Sequence, residues 1–390
     1  MRIGMLLIGG VFPPDIRVRK EAGLLARSGH EVHLLTTDRD GRPPREDVGG
    51  VMVHRYPRRA PWLASKLSAV VSLITWEQLL VRREIERYVD EVRPDVIHCH
   101  DLMAVRTALG VARRAGLPLV YDMHENYADA VRHWNRRPAA RLFQTPARYE
   151  RYERWALANA DATVVVSEEM AVRARGLGAR AGRLVVFGNV DDYDGALMWA
   201  GPSEPFTVVY AGGFGPHRGI DVLIEAFAGV RAADAVARLV IMGAGPGDDE
   251  LRALAGRLLP PDAYEFTGWV DNDEMRSRLA ASSVGVVPFR RVVQTESAAP
   301  HKLFQYMSMG LPMVVTDCAG LKRVAQDGGA GLVARADDPT DLAARLLEVR
   351  DPAVAMVLSK AGIEASRTLY SIEAAGRGLL DMYAELGPNR

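Results

Sequence analysis

The stretch VVYAGGFGPHRGIDVLIEAF, residues 208–227, decides the fold class. Apolar residues lead into a turn containing Gly212, Gly213 and Gly215, and the turn opens a segment in which Val222, Leu223, Ala226 and Phe227 recur at helical spacing. A short apolar strand that passes through a glycine turn into an amphipathic helix is one βα unit of a parallel sheet. His217 and Arg218 stand at that turn, where a cation beside the N–H groups of a helix start can hold a diphosphate.

The same alternation continues on both sides of this unit. In the second half, strands are expected at residues 207–211, 237–242, 264–267, 284–288, 313–315 and 331–333, with helices at 219–232, 249–258, 271–281, 301–309 and 338–349. In the first half the strands fall at 3–8, 31–36, 51–56, 96–100, 117–122, 162–167 and 184–187. Helices fit 18–28, 62–92 with a break inside, 104–115, 147–158 and 168–175. MWAGPSEP at 198–205 has the composition of a linker. The expected organisation is two doubly wound α/β domains, 1–199 and 200–369, followed by a terminal helix within 370–390.

A chain of 390 residues with 48% hydrophobic composition has material for two cores, which excludes a disordered or fibrous protein. Cys99 and Cys318 lie too far apart in sequence to make a disulfide framework or a thiolate metal site, and a reducing, cytoplasmic compartment is expected. The opening MRIGMLLIGGVFPP reads as a buried strand, because its apolar run ends in Gly-Gly and Pro-Pro without a small-residue cleavage site. No apolar run approaches the ~18 to 20 residues of a spanning helix.

The 49 Lys+Arg and 49 Asp+Glu cancel, so nothing pulls the whole chain toward nucleic acid. That zero conceals an asymmetry: residues 1–199 hold 30 basic and 25 acidic residues, and the remainder 19 and 24. Within residues 132–155, Arg132, Arg136, Arg137, Arg141, Arg148, Arg151 and Arg154 accompany Trp134, Phe143, Tyr149, Tyr152 and Trp155. Such a patch suits an anionic membrane surface; a solvated helix face with core aromatics accounts for the same residues.

Several clusters offer chemistry. Gly9 and Gly10 after the first strand allow close backbone approach to a phosphate or sugar, as they also allow a tight turn. HCHD at 98–101 and YDMHEN at 121–126 fall at the carboxyl ends of two strands, where open α/β sheets bind ligands. Their spacing lacks the H-E-x-x-H form, so no metal is expected; His124 suits a polar or proton-handling contact, or a structural role. In the second half, Arg290, Arg291, Glu296, Ser297, His301 and Lys302 lead into a helix opening near Pro300. Lys302 and Arg218 could bracket a pyrophosphate, and a surface salt-bridge network would use the same basic residues.

Taken in order, FPPDIRVRKEAGLLARSGHEVHLLT, RPDVIHCHD, YDMHE, ADATVVVSEEM, YAGGFGPHRGIDVLIEAF, FTGWVDNDEM and PHKLFQYMSMGLPMVVTDCAGLKRVAQDGGAGLV make the chain similar, over almost its whole length, to retaining glycosyltransferases of the GT-B fold, family 4. The resemblance implies two Rossmann-like domains across a cleft, an acceptor-binding first domain, a second domain for a UDP- or GDP-linked sugar, and a last helix crossing back. It implies hexosyl transfer with retention, without metal or other cofactor, to a sugar, lipid-linked or small-molecule acceptor. His124, Arg218 and Lys302 then take catalytic positions, His124 near the transferred sugar. Donor contacts fall on Gly10, Gly213, His217, Trp269, Val270, Glu296, Ser297, His301, Leu303 and Gln305, and acceptor-side positions on Asp15, Arg17, Asp101 and Glu125.

Two departures stand out. The Glu-x7-Glu pair of the family becomes Ser297 and Gln305, with Glu296 one place early, and the first diphosphate cation becomes Gly213. Gln305 can still hydrogen-bond a ribose hydroxyl, without the strength of a carboxylate. A sugar-nucleotide epimerase or hydrolase of the same fold, and a weakly active nucleotide-sugar-binding protein, are the alternative readings. Arg greatly outnumbers Lys, for which a GC-rich bacterial genome, rather than function, is the expected reason.

Overall fold

The computed structural model describes the chain except residues 39–40, 58–61, 134–142, 192–194, 196 and 388–390, and except the side chains of 38, 57, 62–67 and 133. The expected Trp134, Arg136, Arg137 and Arg141 therefore lie outside the described residues.

Two compact units form: residues 1–187 with 375–390, and residues 188–374. In the first, eight strands run in the order β3-β4-β2-β1-β5-β6-β7-β8. These are β1 (Arg2–Leu7), β2 (Glu31–Asp38), β3 (Arg45–Val48), β4 (Val51–Pro57), β5 (Val96–His100), β6 (Leu119–Met123), β7 (Ala162–Val165) and β8 (Leu184–Val186). All pair in parallel except β3, an edge strand antiparallel to β4. The helices are α1 (Ile16–Arg27), α2 (Trp62–Thr75), α3 (Leu79–Val92), α4 (Leu102–Ala115), α5 (Tyr127–His133), α6 (Pro146–Asn159) and α7 (Glu168–Gly176).

The second unit orders its six parallel strands β11-β10-β9-β12-β13-β14. They are β9 (Thr207–Ala211), β10 (Arg238–Met242), β11 (Tyr264–Gly268), β12 (Val284–Val287), β13 (Met313–Thr316) and β14 (Gly331–Ala334). Around them lie α8 (Ile220–Ala233), α9 (Asp248–Leu258), α10 (Asn272–Ala280), α11 (Val293–Glu296), α12 (His301–Met309), α13 (Ala319–Asp327), α14 (Pro339–Val349) and α15 (Pro352–Arg367). The last helix, α16 (Ile372–Leu386), belongs from Ala375 onward to the first unit.

Central strands such as MVVT of β13 and VIHCH of β5 are buried along their whole length, as sheets covered on both faces require. The expected long helix over 62–92 breaks at Trp76, whose φ of 64° interrupts the helical run. The break turns Trp76 into the core, where it stacks on Tyr152 at 4.4 Å. Strand β3 went unforeseen because REDV carries no apolar alternation; the Gly49-Gly50 turn, with both φ values positive, closes it onto β4 as a hairpin.

The compact units divide at Phe187/Gly188, ahead of the linker composition at 198–205. Side chains before and at that stretch tie it to the second unit. Asp191 accepts from Ser308 at 2.7 Å and pairs with Arg276, and the Trp199 indole donates to the Ser282 carbonyl at 2.8 Å.

Candidate functional site

Each sheet reverses its winding beside its first strand, at β1/β5 and at β9/β12. The loops leaving those strands diverge, and the crevice outside the strand carboxyl ends is where such sheets take ligands. The sequence clusters sit at these two places.

In the second unit, β9 ends at Gly212 and Gly213. A Cβ on Gly212, whose φ is 142°, would lie 2.6 Å from the Lys302 ammonium, so the glycine is what leaves room for that charge. A short 3-10 turn, Pro216–Arg218, then leads to Gly219, whose φ is 65° and whose Cβ would meet the Pro288 carbonyl at 1.9 Å. Only glycine fits there. The turn sets the Arg218 guanidinium over the Phe289 ring at 4.7 Å.

Lys302 enters from the first turn of α12 and is buried. Its ammonium lies 3.6 Å from the centroid of the Tyr210 ring and 5.8 Å from that of Phe289, with no hydrogen-bond acceptor. Burial, and then the like charge of Arg218, push Lys302 well below the ordinary lysine value. No side chain caps the N-terminus of α12, so its dipole end points the same sign of charge at this place. Two cations and a helix start thus converge where an anion would satisfy all three.

The other expected donor residues divide. His217 packs edge-on to Phe289, its ring centroid 6.4 Å away, and its carbonyl accepts from the Arg290 N–H. His301 is half-buried at the helix start, Ser297 is buried, and Gln305 is half-buried one turn on. Leu303 is fully buried core, and its N–H bonds back to the Pro300 carbonyl. Gly213 accepts from the Tyr210 hydroxyl at 2.8 Å. Trp269 is 72% exposed beyond β11 and Val270 half-buried beside it. Glu296 has turned to structure: one oxygen accepts from the Ala319 N–H at the start of α13 and the other pairs with Arg291 at 3.0 Å. Arg290 is paired with Asp221 and Asp337, and Arg291 also with Asp317.

In the first unit, Asp122 at the end of β6 organises the site. Arg17, buried in α1, grips it with two bonds of 3.1 and 2.7 Å; His100 Nδ1 lies 2.9 Å and His124 Nε2 2.7 Å from Oδ2. Burial works against charge on Asp122, but Arg17 and His124 hold it well below the carboxylate range. His124 is also disfavoured as a cation by burial, yet Asp122 and Asp101 together raise it to about 9. At neutral pH it is therefore an imidazolium, a hydrogen-bond donor rather than a base. Asp101 carries a φ of 66°, unusual for a non-glycine residue, and accepts from the Tyr127 hydroxyl at 2.9 Å.

Asp15 caps α1 by accepting from the Val18 N–H at 3.0 Å. Glu125 is half-buried next to His124. A Cβ on Gly10 would strike Leu7 at 2.7 Å, and the Gly10 carbonyl accepts from Thr36. Sequence reasoning missed Tyr210 and Phe289 as the ring walls around the cations, and Glu21 and Tyr383 beside the histidines. Only the Arg17/Glu21 pair left a signal, two charges one helical turn apart on the face that carries Val18, Leu24 and Leu25.

The basic aromatic segment also divides. Tyr149 and Tyr152 are core, and Arg148 stacks over Trp76 at 4.6 Å while donating to the carbonyls of Phe143 and Ile74. Exposed there are Arg151, Arg154 and Phe143, with Val70, Ile74, Leu79 and Leu80 exposed on α2 and α3.

Two parallel-sheet α/β units with switch-point clusters define the GT-B class of glycosyltransferases, and comparison with known proteins agrees. Residues 14–190 match the model of the glycosyl transferase 4-like domain and residues 205–351 that of glycosyl transferases group 1. The chain belongs to this glycosyltransferase family, and it is a glycosyltransferase. It is 26% identical to the alpha-D-kanosaminyltransferase of Streptomyces kanamyceticus, over 91% of this chain and 95% of that one. Identity with the glycogen synthase of Mycobacterium tuberculosis is 25%, covering 93% and 89%. Among solved structures, sucrose-phosphate synthase from Thermosynechococcus elongatus superposes with a TM-score of 0.76 at 20% identity, over 99% of both chains. HepE from Anabaena in complex with UDP-glucose gives 0.73 at 15%, over 99% and 100%. Among the described residues no helix is long and apolar enough to cross a membrane.

Proposed function

We propose that the chain moves a hexosyl group from a UDP- or GDP-linked sugar to an acceptor hydroxyl with retention of configuration, using no metal at the diphosphate. The observation that carries this is the Arg218/Lys302 pair: a buried ammonium without an acceptor, beside a guanidinium, at the switch point and at an uncapped helix start. A buried cation with no counter-charge costs stability unless a ligand supplies one. The diphosphate of a nucleotide sugar fits, and its negative charge grows as the glycosidic bond breaks, so fixed cations favour the transition state over the ground state. That a relative in structure is solved with UDP-glucose supports the donor class. The second unit is then the donor side and the first the acceptor side, with cationic His124 donating a hydrogen bond to a sugar oxygen.

The supporting experiment is a thermal-shift and calorimetric screen of UDP, GDP and their sugars against the parent chain and Lys302→Met. Binding by the parent that the variant loses supports the assignment; equal binding by both sinks it. The anomeric configuration of the product, followed by NMR, tests retention. We further propose that Phe143, Arg151 and Arg154, with the exposed apolar residues of α2 and α3, meet an anionic bilayer carrying a lipid-linked acceptor, because exposed cations flank exposed apolar side chains there.

A further inference from the structure

Beneath the His124 site, Glu21, His98, His100 and Asp122 place one ligand-type atom each within 4.8 Å of one another, and all four side chains are fully buried. Two of these residues come from alternate positions of β5, which puts both imidazoles on one face of the sheet, their ring centroids 4.6 Å apart. Glu21 comes onto them from the buried face of α1, and a fully buried glutamate is rare.

The hydrogen bonding within the cluster is one-sided. His100 Nδ1 is taken by Asp122 at 2.9 Å, and His98 Nδ1 by the Tyr383 hydroxyl of α16 at 2.5 Å. With its Nδ1 donating to the Asp122 carboxylate, His100 carries a lone pair on Nε2, and His98 does likewise when its Nδ1 donates to the Tyr383 oxygen; both Nε2 atoms and both Glu21 oxygens lack a hydrogen-bond partner. Buried polar atoms are almost always satisfied, so four orphans in one cluster call for a ligand. Asp122 is already held by Arg17, His100 and His124, with three of these four contacts on Oδ2. Its part is to orient His100 from outside, and Tyr383 does the same for His98, the outer-shell arrangement that metal-binding histidines use.

We propose that Glu21, His98 and His100 bind one divalent transition-metal ion of the zinc class, as a structural site that ties α1, β5 and α16 together. The separation of His98 Nε2 from Glu21 Oε1, 3.5 Å, is long for a hydrogen bond and close to the ~3.3 Å between two ligands held at about 2.0–2.1 Å in a tetrahedral site. Two imidazoles and a carboxylate suit zinc, iron or cobalt over magnesium and calcium, which prefer oxygen alone. The site lies in a different unit from Arg218 and Lys302 and does not rest on their assignment.

The test refolds the untagged chain from denaturant with Zn²⁺ or with chelator, then measures metal content by mass spectrometry, thermal stability, and the visible spectrum after Co²⁺ loading. Expected are one ion per chain, a melting temperature lowered by chelator, tetrahedral Co²⁺ bands, and affinity weaker by ~10-fold or more in Glu21→Gln and in His98→Gln, with His33→Ala, a histidine outside the cluster, as a control that keeps the ion. Parent chain that holds no Zn²⁺, Co²⁺ or Fe²⁺ and melts alike with and without them overturns the proposal, whether or not the variants fold. Metal held equally by the parent and both variants overturns it as well.

Discussion

A lysine whose ammonium rests against a tyrosine ring, without an acceptor and beside an arginine, holds the free protein in an unfavourable state. Because the unfolded lysine takes up a proton that the folded one resists, stability is lost as pH falls below the ordinary value of 10.5 toward the depressed folded one. Lys302→Met is therefore expected to melt higher than the parent in ligand-free form at neutral pH, with the gap closing above pH ~10.5; scanning calorimetry across pH checks both parts. A bound diphosphate reverses the balance and raises the proton affinity of Lys302 back toward that of an ordinary lysine. Nucleotide affinity measured across pH should therefore carry a pH dependence through Lys302 that the variant lacks. For turnover, Arg218→Ala and Lys302→Ala are each expected to cost ~100-fold or more, the scale of a lost electrostatic contact. Unchanged turnover in both would remove the pair from the mechanism. The residues themselves were legible in the sequence, since cations near a glycine turn and a helix start are a visible pattern. The depressed lysine was not, because it depends on Tyr210 and Phe289 closing around the charge.

The elements that carry these side chains are held by particular close approaches. Gly219 packs its α-carbon against the Pro288 carbonyl at the end of β12, and this contact fixes where the 3-10 turn points Arg218. Gly219→Ala combines a positive φ with a Cβ clash, each a cost of ~1–3 kcal/mol, and is expected to lower the unfolding midpoint in urea and weaken nucleotide binding together. A midpoint equal to the parent would show that the turn adapts. Strand and helix positions were largely visible because their apolar periods are strong. The exceptions explain themselves: β3 has polar side chains on an edge, and the α2/α3 break depends on Trp76 finding a stacking partner some 70 residues on. On the surface formed near that break, Phe143→Ser with Arg151→Glu and Arg154→Glu is expected to reduce cosedimentation with anionic vesicles at low salt. No binding by the parent to such vesicles would end the membrane proposal.

For the whole molecule, the unit boundaries separate charge more sharply than the halves of the sequence do. The first unit holds 32 Lys+Arg and 24 Asp+Glu, the second 17 and 25, so a chain of zero net charge is built from units of +8 and −8. The terminal segment crosses this division. Leu379 and Tyr383 of α16 are fully buried in the first unit, so Tyr383→Ala should cost ~3–5 kcal/mol as a large core truncation, read by urea unfolding. A loss under 1 kcal/mol would mean that the helix is not part of that core. The sequence by itself determined the two α/β units, the order of most of their elements and the placing of the chemical clusters at strand ends, because these follow from local periodicity and turn residues. Only the tertiary structure decided which charged groups are spent and which are held in reserve. Glu296, Arg290 and Arg291 are consumed by pairing, Arg17 by Asp122, while the Lys302 ammonium and the Glu21 carboxyl oxygens are buried without a hydrogen bond, and burial and pairing come from residues distant in the chain that no local pattern encodes.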